Sequence, residues 1–222
     1  MSDKTLFDTA RHEAGHIVAA WYVGQIVYGV SISPDSTYTD SHGRVLQIGD
    51  EGGERQGTMD VGGLYQPFFT QIAKCTAAAA EAAGTDEMWH EHVRLMYIGA
   101  RRDLIVLLAG GIAGAGYPKM SGDTCLDAGA ESDLEHARKI AALLPEGLDA
   151  MAPAVAATKM MLREHWPTVK AVANALVQHL TMDDKQILAV IQSVTGEGWR
   201  ERMCPLDEPM RWTDGAVWPL NP

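Results

Sequence analysis

The stretch Thr5 to Val23, TLFDTARHEAGHIVAAWYV, decides the fold, and His12-Glu13-Ala14-Gly15-His16 lies at its centre. At about 100° per residue, Leu6, Phe7, Ala10, Ala14, Ile17, Val18 and Trp21 fall within one arc of roughly 120°. His12, Glu13 and His16 fall on the neighbouring arc, beside Thr9 and Ala20. The spacing therefore predicts a helix with one side facing a core and polar groups flanked by small residues on the next. Gly24 ends it.

Histidines four apart lie one turn apart on the same face, so both imidazoles can reach one tetrahedral ion at about 2.0–2.1 Å. Glu13, rotated by about 100°, stands beside such an ion rather than on it. From there its carboxylate can take a proton from a zinc-held water and pass it to a departing amine. A hydrolytic zinc site has three protein ligands and an open position. A histidine six residues after His16 would supply the third, but Tyr22 stands there. The third ligand must come from later in the chain, and the acidic run from Gly129 to His136 offers Glu131, Asp133, Glu135 and His136. Spacing does not choose among them.

Outward from this helix, Val27 to Ser33 alternates and is β-branched, which predicts a strand closed by Pro34. Gly43 to Ile48 reads as a second strand paired with the first, and Gly49 to Gly63 as an aperiodic loop. Helices are expected over Phe68 to Ala83, over Glu87 to Ala109, from Glu131 to Leu144, Met151 to His165, Val169 to Leu180 and Asp183 to Val194. Gly110-Gly111 marks a helix end or a close backbone approach. Pro118 to Gly129 reads as a loop. The expected fold is mainly α with a small β-element (α+β), a zincin-like histidine helix with a helical bundle. One domain spans 1–195, and a tryptophan- and proline-rich extension, 196–222, packs on it.

Hydrophobic residues make up 46% and charged residues 21% of the 222, as in ordinary folded chains. A net charge of −11 argues against nucleic acid as a partner, since phosphate binding needs clustered Lys and Arg. Cys75, Cys125 and Cys204 are too few and too scattered for a disulfide framework or a cysteine–zinc site. The longest uncharged apolar stretch, Leu104 to Tyr117, is glycine-containing and too short to span a bilayer, and no apolar run precedes the motif. A cytoplasmic protein without a membrane segment is the expectation.

His12-Glu13-Ala14-Gly15-His16-Ile17-Val18-Ala19-Ala20 resembles the zinc helix of the FtsH-type ATP-dependent metalloproteases. Val30 to Pro34 with Gly43-Arg44-Val45, Leu107 to Ala113, Gly129 to Ala137, and Leu176 to Asp183 resemble further segments of that family, in family order. The resemblance implies a mostly helical fold, zinc as cofactor, endopeptidase chemistry, and Asp133 as third ligand. A carboxylate there leaves the ion more electropositive than a thiolate would, which suits hydrolysis. The chain departs from the family in carrying no phosphate-binding loop of the ATPase type and no membrane anchor, and Gly114-Ala115-Gly116-Tyr117 stands where the family has an acidic pair.

The expected activity is zinc-dependent cleavage of unfolded or short polypeptides without an ATPase in the same chain. The contrasting reading is a metal-binding interaction protein that no longer cleaves. A homo-oligomer, or a separate ATPase that delivers substrate, is the partner left open. An exposed edge at Gly43, Arg44, Val45 and Leu46 would bind substrate as an added strand. His42 is a weaker candidate oxyanion donor. His90 and His92, two apart, point away from each other on a helix and do not share an ion. Arg101 and Arg102 read as ion-pair partners rather than substrate anchors.

Overall fold

The computed structural model describes residues 3–25, 27–33, 37–39, 45–47, 58–61, 87–116, 131–198, 210–211 and 217–218. The fold is mainly α with a small β-element. Six helices carry the described part: α1 (Asp3–Tyr22), α2 (Glu87–Ala115), α3 (Glu131–Ala141), α4 (Met151–Glu164), α5 (Trp166–His179) and α6 (Asp184–Thr195). No described helix is long and apolar enough to cross a membrane.

Helix α1 is the centre of the core. Every residue from Glu13 to Trp21 is buried, because α2 and α5 pack on it, with α4 and two strands adding smaller contacts. The expectation of one core-facing side is thus too narrow for its middle and too generous at its start, where Phe7 stays 37% exposed. The closest approach of α1 to α2 is made by small residues. A Cβ on Gly15 would lie 2.5 Å from the Ala109 carbonyl oxygen and 2.6 Å from the Ala113 Cβ, so only glycine permits this approach. At its far end, Trp21 and Tyr22 meet the ring of His165, with centroids 5.3 and 5.2 Å away. His165 is both the C-cap of α4 and the N-cap of α5, and Pro167 suits the first turn that follows.

The strands are β1 (Val27–Ser31), β2 (Thr37–Thr39), β3 (Val45–Gln47), β4 (Thr58–Val61), β5 (Thr181–Asp183), β6 (Met210–Arg211) and β7 (Val217–Trp218). The second strand does not pair with the first. β3 pairs with β2, whereas β1 lies between β4 and β5 in an antiparallel sheet ordered β4-β1-β5. Val30 sits opposite Met59 on one side and Met182 on the other. β4 falls inside the segment 49–63 that reads as a loop, and β5 is inserted where two helices were expected to adjoin. The Ser31 and Thr181 hydroxyls share a hydrogen bond of 2.9 Å across this ladder. Asp183 then leaves the strand and caps α6, its carboxylate accepting from the Gln186 N–H while the Gln186 side chain accepts from the Asp183 N–H.

Helix α2 runs through Gly110-Gly111 to Ala115, six residues beyond the expected end at Ala109. Burial on all sides offsets the cost of two glycines in a helix, about 1 kcal/mol each. It stops at Gly116, which has φ +79° and donates its N–H to the Ala113 carbonyl. The expected helix over 68–83, the loop at 118–129, the three cysteines and His42 lie outside the described residues.

Candidate metal centre

Three side chains converge from two helices. His12 and His16 project from the middle of α1, and Asp133 from the first turn of α3, 121 positions further along the chain from His12. His16 Nε2 lies 3.0 Å from His12 Nε2. Asp133 Oδ2 lies 3.1 Å from each of those two nitrogens. The two imidazole planes stand 77° apart with centroids 4.7 Å apart, so the rings meet at their nitrogens and do not stack. Among the described residues this is the cluster of ligand-type atoms able to hold a metal ion.

The donor set fits such an ion. Tetrahedral zinc with bonds of about 2.0–2.1 Å separates its ligand atoms by roughly 3.3–3.4 Å. The observed triangle is within a few tenths of an ångström of that. Proton bookkeeping points the same way. His16 Nδ1 donates to the Val106 carbonyl at 2.7 Å, so the neutral ring offers a lone pair at Nε2. Asp133 Oδ2 only accepts, and His12 Nε2 brings one proton at most. With neutral rings, at least one edge of the triangle sets lone pair against lone pair. A single cation at the centre reconciles all three. The bond from His16 Nδ1 to a backbone carbonyl is also the outer support that metal-ligating histidines ordinarily have.

The electrostatics record the same demand for positive charge. Burial pushes the His16 imidazolium down. Its hydrogen bond to Asp133, the charges of Asp133 and Glu13, and the Val106 carbonyl outweigh this and lift it to about 9. Burial raises the Asp133 carboxyl, but its bonds to His12 and His16 and their charges hold it well below the usual carboxylate range. Glu13 is 4% exposed. Burial raises its pKa against the attraction of His16 and His12, with Asp133 adding to the rise. A carboxyl so placed holds a proton more readily than an exposed one, as a proton carrier requires.

Glycine makes the pocket for His16. A Cβ on Gly110 would stand 2.2 Å from His16 Nε2, 2.4 Å from Cε1 and 2.7 Å from Cδ2. The ring therefore lies flat against the bare backbone of α2, and of the two meanings Gly110-Gly111 carries, close approach is the one realised. Gly110 and the Val106 carbonyl are the site components that motif reading does not name, although the glycine pair was a signal for the first.

The remaining candidates separate from this centre. Val45 and Leu46 lie in β3, within the two-stranded β2–β3 ladder, and Gly43 and Arg44 lie outside the described residues. Among the described residues, β1 and β4 are the strands that pack most on α1. Glu131 opens α3, while Glu135 and His136, two and three residues beyond Asp133, are exposed, and Glu135 pairs with Lys139 at 2.7 Å. Residues 90–92 lie in the first turns of α2. Arg101 is fully buried and pairs with Glu146, so it serves the core as an ion-pair partner. No known family model matches this chain, and no curated protein matches it significantly.

Proposed function

We propose that this protein is a zinc-dependent endopeptidase acting on unfolded or short polypeptides. The observation that carries the reading is the convergence of His12 Nε2, His16 Nε2 and Asp133 Oδ2, 3.0–3.1 Å apart, with buried Glu13 beside them. The resemblance of residues 12–20 and 129–137 to FtsH-type peptidases supports the same assignment. Zinc is the fitting ion because two imidazoles and one carboxylate match its ligand preferences and leave a coordination position open.

When bound, the ion acidifies a water and polarises the scissile carbonyl. The chain's own groups do the rest. Val106 fixes the His16 ring through Nδ1, so that Nε2 faces the centre. Asp133 balances charge against both imidazoles. The Glu13 carboxylate takes the proton released on attack and returns it to the amine that leaves. Burial of Glu13 and His16 keeps bulk water from competing for that proton.

Replacing Glu13 with Gln tests this. Metal affinity should stay within a few-fold of wild type, while cleavage of an unfolded protein such as reduced casein falls about 10²–10⁴-fold. A wild-type protein that binds zinc and cleaves nothing, like the variant, would instead support the non-proteolytic metal-binding reading, which the same ligand triangle also accommodates.

A further inference from the structure

The three ligands come from α1 and α3, yet these two helices make only marginal contact, and both pack on α2. The shape of the triangle therefore depends on how α1 is registered along α2. Their closest approach is Gly15 against Ala109 and Ala113, where a Cβ would not fit. Direction comes from polar contacts along it. His16 Nδ1 donates to the Val106 carbonyl in the middle. Gln25 donates to Asp103 at one end. Arg11 holds the other end.

Arg11 Nη2 donates both to the Gly114 carbonyl, in the last turn of α2, and to Asp8 Oδ1, at 2.9 Å from the latter. The guanidinium also lies over Gly116, where an added Cβ would stand 3.4–3.6 Å from its Cζ and Nη atoms. Its Cζ is 5.9 Å from the centre of the Phe7 ring. Helix α2 has no basic residue in its own last turn, so the cation that favours a helix C-terminus is supplied by α1. The clamp thus sits next in sequence to the ligand His12. It grips α2 at the point where the chain departs toward Asp133.

From this placement we infer that Arg11 is a positioning residue for the metal centre, setting the register of α1 on α2 so that His12 and His16 meet Asp133. The inference rests on the metal-binding reading above and adds to it a determinant of affinity that touches neither ion nor ligand. Arg11→Met keeps the apolar stem and removes the clamp. Arg11→Lys keeps a cationic donor for the Gly114 carbonyl and Asp8 on a shorter, non-planar head.

The test is zinc dissociation constants from competition with a chromogenic chelator, alongside melting of the chelated proteins and the visible spectrum of the cobalt-substituted forms. Arg11→Met should bind zinc about 10-fold more weakly, the scale of losing one charged hydrogen bond that holds the register. It should also show altered cobalt bands, and Arg11→Lys should recover most of the loss. A clamp that serves only the fold would lower the melting temperature and leave both zinc affinity and cobalt bands untouched, and that result overturns the inference. If Arg11→Met does not fold, Arg11→Gln, which keeps a neutral donor but no charge, takes its place, and wild-type zinc affinity and cobalt bands in it overturn the inference equally. Absence of zinc binding in the wild-type protein itself would instead remove the metal-binding reading on which the inference stands.

Discussion

Replacing Gly110 with alanine should separate the metal site from the fold. The added methyl would begin 2.2 Å from His16 Nε2, the candidate ligand atom, and 2.4 Å from Cε1. Ordinary carbon–nitrogen contacts need about 3.5 Å, so the ring must retreat by more than about 1 Å. Backbone movement is the less available response, since α2 is buried around Gly110 and Gly15 already touches it one turn on. Swinging the ring breaks the Nδ1 bond to Val106 and withdraws Nε2 from the triangle. A shift of that size exceeds the tolerance of a zinc–nitrogen bond of about 2.0–2.1 Å by several-fold. Zinc affinity should fall at least about 100-fold, or roughly 2.7 kcal/mol. The chelated fold should weaken by only a few kcal/mol and stay folded, because alanine's helix propensity, up to about 1 kcal/mol, offsets part of the lost His16 hydrogen bond and ion pair. Chelator competition gives the affinity, and circular dichroism of the chelated protein gives the melting temperature. Zinc affinity within threefold of wild type would show that His16 is not the ligand, or that its ring does not rest on α2.

Gly15→Ala makes the opposite demand: its methyl meets the Ala109 carbonyl and the Ala113 Cβ at 2.5 and 2.6 Å, so the helices must part and unfolding should become about 1–3 kcal/mol easier in a denaturant titration. Zinc binding should release close to one proton below pH 9, because His16, lifted to about 9, must lose its proton to ligate. Affinity should then rise about tenfold per pH unit up to that point, and calorimetry in buffers of different ionisation heat counts the proton. In the chelated protein the same raised pKa stabilises the fold fully below pH 6.5 and progressively less as pH climbs through 9, the reverse of the usual carboxylate case. Asp103, 3% exposed, has its carboxyl pushed up to about 7 by burial, against a hydrogen bond from Gln25 and the charge of Arg102. An acid raised in the folded state favours folding at low pH, so stability should decline by up to a few kcal/mol between pH 4 and 7. Asp103→Asn, which still accepts from Gln25, should flatten that decline in urea titrations across the range.

What could be read in advance was whatever one helix determines alone. The period that put Leu6, Ala10, Ile17 and Trp21 on one side, and the four-residue step from His12 to His16, are properties of α1 before anything packs on it. Asp133 was different. Its own neighbourhood offered four candidate ligands, and it became the choice through a resemblance; the structure then brought its Oδ2 to within 3.1 Å of both rings across 121 positions of chain. Strand pairing failed for the same physical reason. Two adjacent β-prone runs suggested a hairpin, but β1 takes β5 as a neighbour from 150 residues away, because the α5–α6 corner delivers Thr181 to Asp183 there. A three-residue strand carries no period of its own to announce it.

Gly110 shows where local rules give two answers and packing selects one. In isolation a glycine pair weakens a helix, and ending α2 there was the simpler expectation. Buried between α1 and its neighbours, α2 gains enough from contact to continue to Ala115, and the missing side chain becomes room for His16. The same substitution of side chain by space recurs at Gly15, one residue before that histidine. Each glycine is unfavourable to its own helix and necessary to the pair. The candidate metal centre can therefore be understood as a consequence of how closely α1 and α2 approach: any residue larger than glycine at either position would widen the seam or push the ring away.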